Sequence, residues 1–272
     1  MSALTDLMPF EAAIKSLAAR AVLPTALDSA GLKQLGGAFH RQNFTSTKTL
    51  LTDLLDGYKE KVGQILNPVT TQRADRVTAE NPQGNVTTGL NPATTRLQIK
   101  ELQRSLGFDA TDGQGSVRDL GSDARINLVL KTNTELSQGT GFAIQSNDPA
   151  VLEAFPCWEL YRLEGKTKER DWEERWQIAA EEAGDTDAAR VQDETGRMVA
   201  RKDSPIWQSL GDGPSDTTDG LGNPYPPFAF NSGMWTKDVS YDDAEKLGLV
   251  NLDTQVESNL PGDLAQLFGL AA

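Results

Sequence analysis

Asn223-Pro224-Tyr225-Pro226-Pro227-Phe228-Ala229-Phe230-Asn231-Ser232-Gly233-Met234 is the stretch on which the reading of this chain turns. Its three prolines fix φ and remove three backbone donors, so neither a helix interior nor a central strand accommodates it. Yet it carries Tyr225, Phe228 and Phe230, whose rings gain little by staying in water. A stiff extended segment with aromatic anchors is expected to lie in a groove, formed either by its own chain or by a partner. On the partner reading, Tyr225, Pro226, Pro227, Phe228, Phe230 and Asn231 are the candidate binding residues.

Around this segment the pattern is mixed and rich in loops. Residues 158–162 read as a strand, and 197–200 fit a second strand of a small sheet. Residues 171–183 read as a helix carrying Trp172, Trp176, Ala179 and Ala180 and ended by Gly184. Short helices are expected at 204–210 and 240–247, the latter with Ser240 as cap and Asp243 three residues on. The acidic, glycine-rich run 211–222 reads as a surface loop. All five tryptophans lie beyond Cys157, at 158, 172, 176, 207 and 235. They suit the core of a small domain, with anchoring of a partner as the alternative.

The other half reads helical. Phe10, Ala13, Ile14, Leu17 and Ala21 recur at helical spacing before Pro24. A short helix is expected within 28–37, closed by Gly36-Gly37. A longer one starts near Ser46 and carries the stripe Leu51, Leu54, Leu55, Tyr58, Val62, Ile65 and Leu66 up to Asn67-Pro68. In residues 69–90 Thr, Asn, Gln and Gly replace large apolar residues and no period survives, which predicts an extended arm or exposed loop. Asn91-Pro92 then supplies a cap and an N1 proline for a helix with Ile99, Leu102 and Leu106, closed by Gly107. Ser122-Asp123 opens a further helix through Ile126, Val129, Leu130 and Leu136 to about Ser137. The expected fold is α+β and predominantly α-helical, with a helical N-terminal half and a smaller mixed C-terminal part. Its segments are 1–68, 69–90, 91–147 and 148–272.

The 272 residues include 39 acidic and 26 basic side chains, a net charge of −13. Such a surface repels phosphate backbones and anionic membranes, which argues against direct nucleic-acid binding, although small basic patches near Arg20, Lys33 and Arg41 remain. No apolar run approaches the roughly 20 residues of a membrane span, and Asp6 and Glu11 do not suit a secretory signal. A single cysteine precludes an intramolecular disulfide and fits synthesis in a reducing cytoplasm.

The sequence points to no catalytic, cofactor-binding or metal-binding residues. One histidine and one cysteine do not make a zinc site. His40 has no identifiable nucleophile partner, and Cys157, between Pro156 and Trp158, suits a buried inert thiol. The acidic loops 109–119 and Asp212, Asp216 and Asp219 lack the ligand spacing of a calcium loop. Gly139-Thr140-Gly141 lacks the third glycine of a dinucleotide fingerprint and follows a helical rather than a strand pattern.

Several passages, taken in order, resemble the Mu F-like head morphogenesis family, the minor head proteins of tailed phages. They are Phe-Glu-Ala-Ala-Ile and Leu-Pro-Thr-Ala-Leu within 10–27, and His-Arg-Gln-Asn-Phe-Thr-Ser-Thr at 40–47. A third is Arg-Ile-Asn-Leu-Val-Leu-Lys-Thr-Asn-Thr-Glu-Leu-Ser-Gln-Gly-Thr-Gly at 125–141, similar to a family helix with a glycine-rich exit. Trp-Glu-Leu-Tyr-Arg at 158–162 looks like the strand that follows, and 223–234 stands where the family has its closing proline-asparagine turn. The better-known members carry histidine and cysteine near that strand and turn; this chain has neither after Cys157, so no metal or catalytic role carries over. The resemblance implies a structural, non-enzymatic, capsid-associated protein at the portal vertex, active in head morphogenesis and in DNA packaging or release. It also implies a place inside the virion after synthesis in the bacterial host cytoplasm, the portal or major capsid protein as partner, and a homo-oligomer as an open option. Two other readings stand beside it: a phage-encoded hydrolase or nuclease effector working through carboxylates, and a cytoplasmic adaptor docking through the proline-aromatic segment.

Overall fold

A computed structural model describes residues 11–87, 91–108, 115–165, 170–214, 217 and 219–270. Among them are twelve α-helices and seven short strands, an α+β fold dominated by helix. The chain forms two compact units, one of Met1–Ala26 with Gln42–Gln138 and one of Leu27–Arg41 with Gly139–Ala272. This division cuts across the four sequence segments.

The first unit is built on the apolar stripes read from the sequence. The helices Glu11–Ala19, Thr52–Leu66 and Pro92–Ser105 and the start of Asp123–Ser146 bury Leu17, Leu54, Leu55, Tyr58, Val62, Ile99, Ile126 and Val129 together. Asn91 caps the third helix by accepting from the amides of Ala93 and Thr94, and Pro92 follows at its first turn. Phe10 lies outside the described residues. The second helix starts at Thr52, not near Ser46. Ser46 and Thr47 are needed elsewhere, because the buried Arg125 guanidinium donates to the Ser46 hydroxyl and the Thr47 carbonyl, each at 2.6 Å. Two strands, Ala21–Val22 and Asn43–Phe44, pair in parallel where the chain leaves and re-enters this unit. Arg20 locks that pair by donating to the Asn43 carbonyl at 2.9 Å and to Asn133 Oδ1 at 2.7 Å.

The expected arm at 69–90 has more order than its composition indicates. Thr70–Gln72 pairs antiparallel with Asn85–Thr87, and a 3₁₀ turn spans Ala74–Arg76 between them. Asn81 holds the connection by donating to the Asn85 carbonyl at 3.0 Å and accepting from its amide. The segment is exposed, as expected, because Thr70, Thr71 and Gln72 all face solvent.

The second unit is organised on a three-stranded antiparallel sheet. Cys157–Arg162 is central, with Met198–Arg201 on one side and Met234–Val239 on the other. Side-chain alternation gives the sheet two apolar faces. Trp158, Leu160 and Ala200 join one cluster with Trp172, Trp176, Trp207, Tyr225 and Phe228; Cys157, Val199 and Val239 join another with Val191, Ala244 and Leu249. The helix Trp172–Ala183 is capped by Asp171 and ended by Gly184 at φ 67°, and Ser240 caps Tyr241–Lys246 through the Asp243 amide.

Besides the start at Thr52, three boundaries depart from the sequence expectation. Gly36-Gly37 opens the helix Gly36–Gln42 as well as following Ser29–Lys33. The helix expected to stop at Ser137 continues through Gly139 and Gly141 to Ser146. The run 211–222 is in part the end of the helix Ile206–Asp212, with Gly211 and Leu221 buried.

Candidate functional site

The proline-aromatic segment is the site the sequence singles out, and within its own unit it is interior. Tyr225 and Phe228 are buried, as are Pro226 and Pro227; Phe230 is half-buried and Asn231 is exposed at φ 51°. Phe228 stacks on Trp207 at 5.8 Å, and Trp207 makes edge contacts with Trp158 at 5.5 Å and Trp176 at 5.4 Å. Of the two grooves considered, the segment occupies the one formed by its own chain. Of its anchors, only Asn231 is left at the surface.

Three glycines from distant parts of the sequence form the cradle. A Cβ on Gly37 would overlap the Gly222 carbonyl, one on Gly139 the Pro226 carbonyl, and one on Gly211 the Asn223 carbonyl. Each glycine lies in a helix, so the missing side chain matters for close approach rather than for turning. Polar groups complete the seat. Thr140 Oγ1 lies 3.3 Å from the Tyr225 hydroxyl, and Arg41 donates to Asn223 Oδ1 at 3.0 Å while pairing with Asp263 at 2.9 Å. Arg170 donates to the Phe230 carbonyl at 2.8 Å, and both Arg170 and Arg175 pair with Asp219. Main-chain bonds from Leu221 to Phe228 and from Phe230 to Asp219 close the loop on itself.

A polar cleft of about 380 Å³ runs beside the segment, lined in part by Arg41, Asp203, Ser204, Gln208, Asp212 and Asn259. Its charged groups are already engaged, Arg41 as above and Asp203 by Arg201 at 2.9 Å. The Ser204 hydroxyl bonds the Asp185 carboxylate directly, with no imidazole between them, and accepts from the Ile206 amide. These bonds hold the loop around Ser204 in place.

The remaining candidates take structural places. His40 is buried, with its ring edge-on to Phe39 and Phe230. Cys157 is buried, and that burial pushes its thiol up to about 12, the reverse of a reactive cysteine. Residues 109–114 and Asp216 of the acidic loops lie outside the described residues. Asp119 accepts from the Gly121 amide, Asp212 from Gln208, and Asp219 is held by its two arginines. Among the described residues no group of three or more His, Cys, Asp or Glu side chains is placed to hold a metal ion. No described helix is long and apolar enough to cross a membrane.

Sequence reasoning missed Lys202, which is fully buried. Its ammonium pairs with Asp238 at 2.8 Å, donates to the Ser146 carbonyl at 3.0 Å and lies over the Trp158 ring; burial holds it below the usual lysine range despite Asp238. Asp238 also accepts from the Trp158 indole at 3.1 Å, so one carboxylate ties the sheet edge to the indole core. Nothing in the spacing Arg201-Lys202-Asp203 announces this. The cradle did leave a signal, because glycines inside a helical pattern cost stability unless a neighbour needs the space.

Compared with known proteins, the chain matches no family model, no curated relative and no solved structure.

Proposed function

We propose that the chain is a structural, non-enzymatic minor head protein of a tailed phage or prophage, acting at the portal vertex in head morphogenesis and in DNA packaging or release. The observation that carries this reading is the convergence of its family-like passages. The glycine-rich passage at 139–141, which the structure places inside the helix Asp123–Ser146 and not at its exit, the strand 158–162 and the turn 223–234 are far apart in sequence, yet they pack within the second unit. Gly139 and Thr140 meet Pro226 and Tyr225, and the turn leads into Met234–Val239, which pairs with the family-like strand. A cradle made of close backbone approach, indoles and ion pairs suits a scaffold more than a reaction centre.

The partner is the portal or major capsid protein, and its contact lies outside the buried aromatic anchors. The exposed hairpin Thr70–Gln72 with Asn85–Thr87 is the better-suited arm, since open strand edges add to other sheets. Neither competing reading gains a specific observation. A carboxylate enzyme calls for convergent acids near Trp172, and among the described residues Asp219 is instead neutralised by Arg170 and Arg175. The adaptor reading calls for accessible rings in 223–234, most of which are buried.

The test is quantitation of this chain against the portal protein by mass spectrometry in phage particles stripped of external protein by protease. A protected signal at a low fixed ratio is expected. Absence from both procapsids and finished particles overturns the proposal.

A further inference from the structure

The second unit carries a groove that neither the cradle nor the family-like passages use. It lies between the helix Pro149–Ala154, the start of Tyr241–Lys246 and the irregular wall 250–257, and encloses about 700 Å³. Leu152, Pro156, Val250, Leu252 and Val256 give it apolar lining. Leu252 is 92 % exposed, the most exposed of the large apolar side chains among the described residues. Tyr241 also lines the groove, and its hydroxyl is buried without a hydrogen-bond partner.

Charge narrows the occupant. Glu153 and Glu257 line the groove, and no lysine or arginine does. Asp242, Glu245 and Asp253 are near enough to act on the Tyr241 phenol, which burial first and these carboxylates second hold above its ordinary range. A second copy of the chain, itself at −13, would bring like charge to an acidic rim. An aliphatic partner segment with basic residues meets both the floor and the rim. Residues 254–260 are in neither helix nor strand, and the amides of Thr254, Glu257, Asn259 and Leu260 already bond within the chain, so this wall offers a partner its side chains.

We propose that this groove docks a short extended peptide of a partner protein, alternating aliphatic with basic side chains. The aliphatic residues lie against Leu152, Val250, Leu252 and Val256, and the basic ones reach Glu153 and Glu257. The proposal stands apart from the head-protein reading, since it rests on none of the family-like passages.

The test uses the full chain immobilised and challenged with three pooled octapeptide libraries. Each has Leu, Ile or Val at alternate positions; the positions between are Lys or Arg in one pool, Gln in the second and Glu in the third. Retention of the basic pool at least tenfold above the acidic pool is expected, with the neutral pool between them. Glu153→Lys with Glu257→Lys should invert the order, and Leu252→Asp should abolish retention of every pool. These positions are exposed, so unchanged melting of the variants separates lost docking from lost folding. Equal retention of the pools, no retention above bare resin, or a preference that survives all the substitutions overturns the proposal. So does binding of a small apolar dye that no pool displaces.

Discussion

Two segments of this chain lack any apolar period, and they end in opposite states. Residues 223–234 form part of a core; residues 69–87 form an exposed hairpin. What separates them is the side chains and what the rest of the chain leaves vacant for them. The first offers Tyr225 and Phe228 and meets Gly139 and Gly211, each lacking the Cβ that would block a carbonyl. The second offers Thr, Gln and Asn, and its order comes from a short ladder and the Asn81 contacts. Irregular backbone is thus no guide to mobility: burial decides it, and burial needs complementary partners elsewhere in the sequence.

Deletion breaks the comparison most severely. Removing 223–234 strips two buried rings and the approach to Met234–Val239, so urea unfolding should lose its cooperative transition. Removing 73–84 and joining the strands by two glycines should leave the midpoint nearly unchanged. Equal damage from both deletions would erase the distinction.

The glycines sharpen it. Gly139→Ala gains about 0.5–1 kcal/mol of helix preference, but the new Cβ meets a backbone carbonyl that cannot rotate away. Overpacking of about 1–3 kcal/mol should prevail, giving a net loss of about 1 kcal/mol by chemical denaturation. Gly63→Ala is the control. Its nearest neighbour would be Leu17 at 3.7 Å, ordinary contact, so it should stabilise by about 0.5–1 kcal/mol.

Alkaline pH tests burial on the far face of the sheet. The Cys157 thiol is pushed up to about 12 by burial, against about 8.5 in an unfolded chain. Above that lower value the folded state keeps a proton that the unfolded state has lost, so stability falls as pH rises. Cys157→Ala should remove up to about 1.4 kcal/mol per pH unit of that slope between about pH 9 and 10. An unchanged slope would mean the thiol is not buried in solution. Lys202, held below its usual range, acts oppositely: stability rises with pH between its folded and unfolded values.

The mildest change to the segment itself is Tyr225→Phe. It removes the hydroxyl facing Thr140 while keeping the ring, so a loss of about 1 kcal/mol is expected in thermal or urea unfolding.

Much of the helical fold was legible because its signals are local. Asn91-Pro92, Ser240 and Gly184 mark helix ends whatever surrounds them, and the stripe from Leu54 to Leu66 states its own buried face. What was not legible depends on distant partners. Gly139 reads locally as a helix end, yet the helix continues through it, and the missing side chain makes room for the Pro226 carbonyl. Ser46 reads as a helix start, but Arg125 holds it outside one. Lys202 reads as surface charge until Asp238 is brought beside it. The proline-aromatic segment was correctly singled out as groove-bound, and its composition left open whose groove that was.

The most direct measurement of the central claim is amide hydrogen exchange read by mass spectrometry on the intact chain. The amides of Leu221, Gly222 and Phe230, bonded to Phe228, Gly211 and Asp219, should exchange only with global unfolding of their unit. Those of Arg73 and Gly84 in the hairpin should exchange through far cheaper local opening. Exchange around 220–230 as fast as in the hairpin would contradict the account, because the segment would then be a docked strap and not a core.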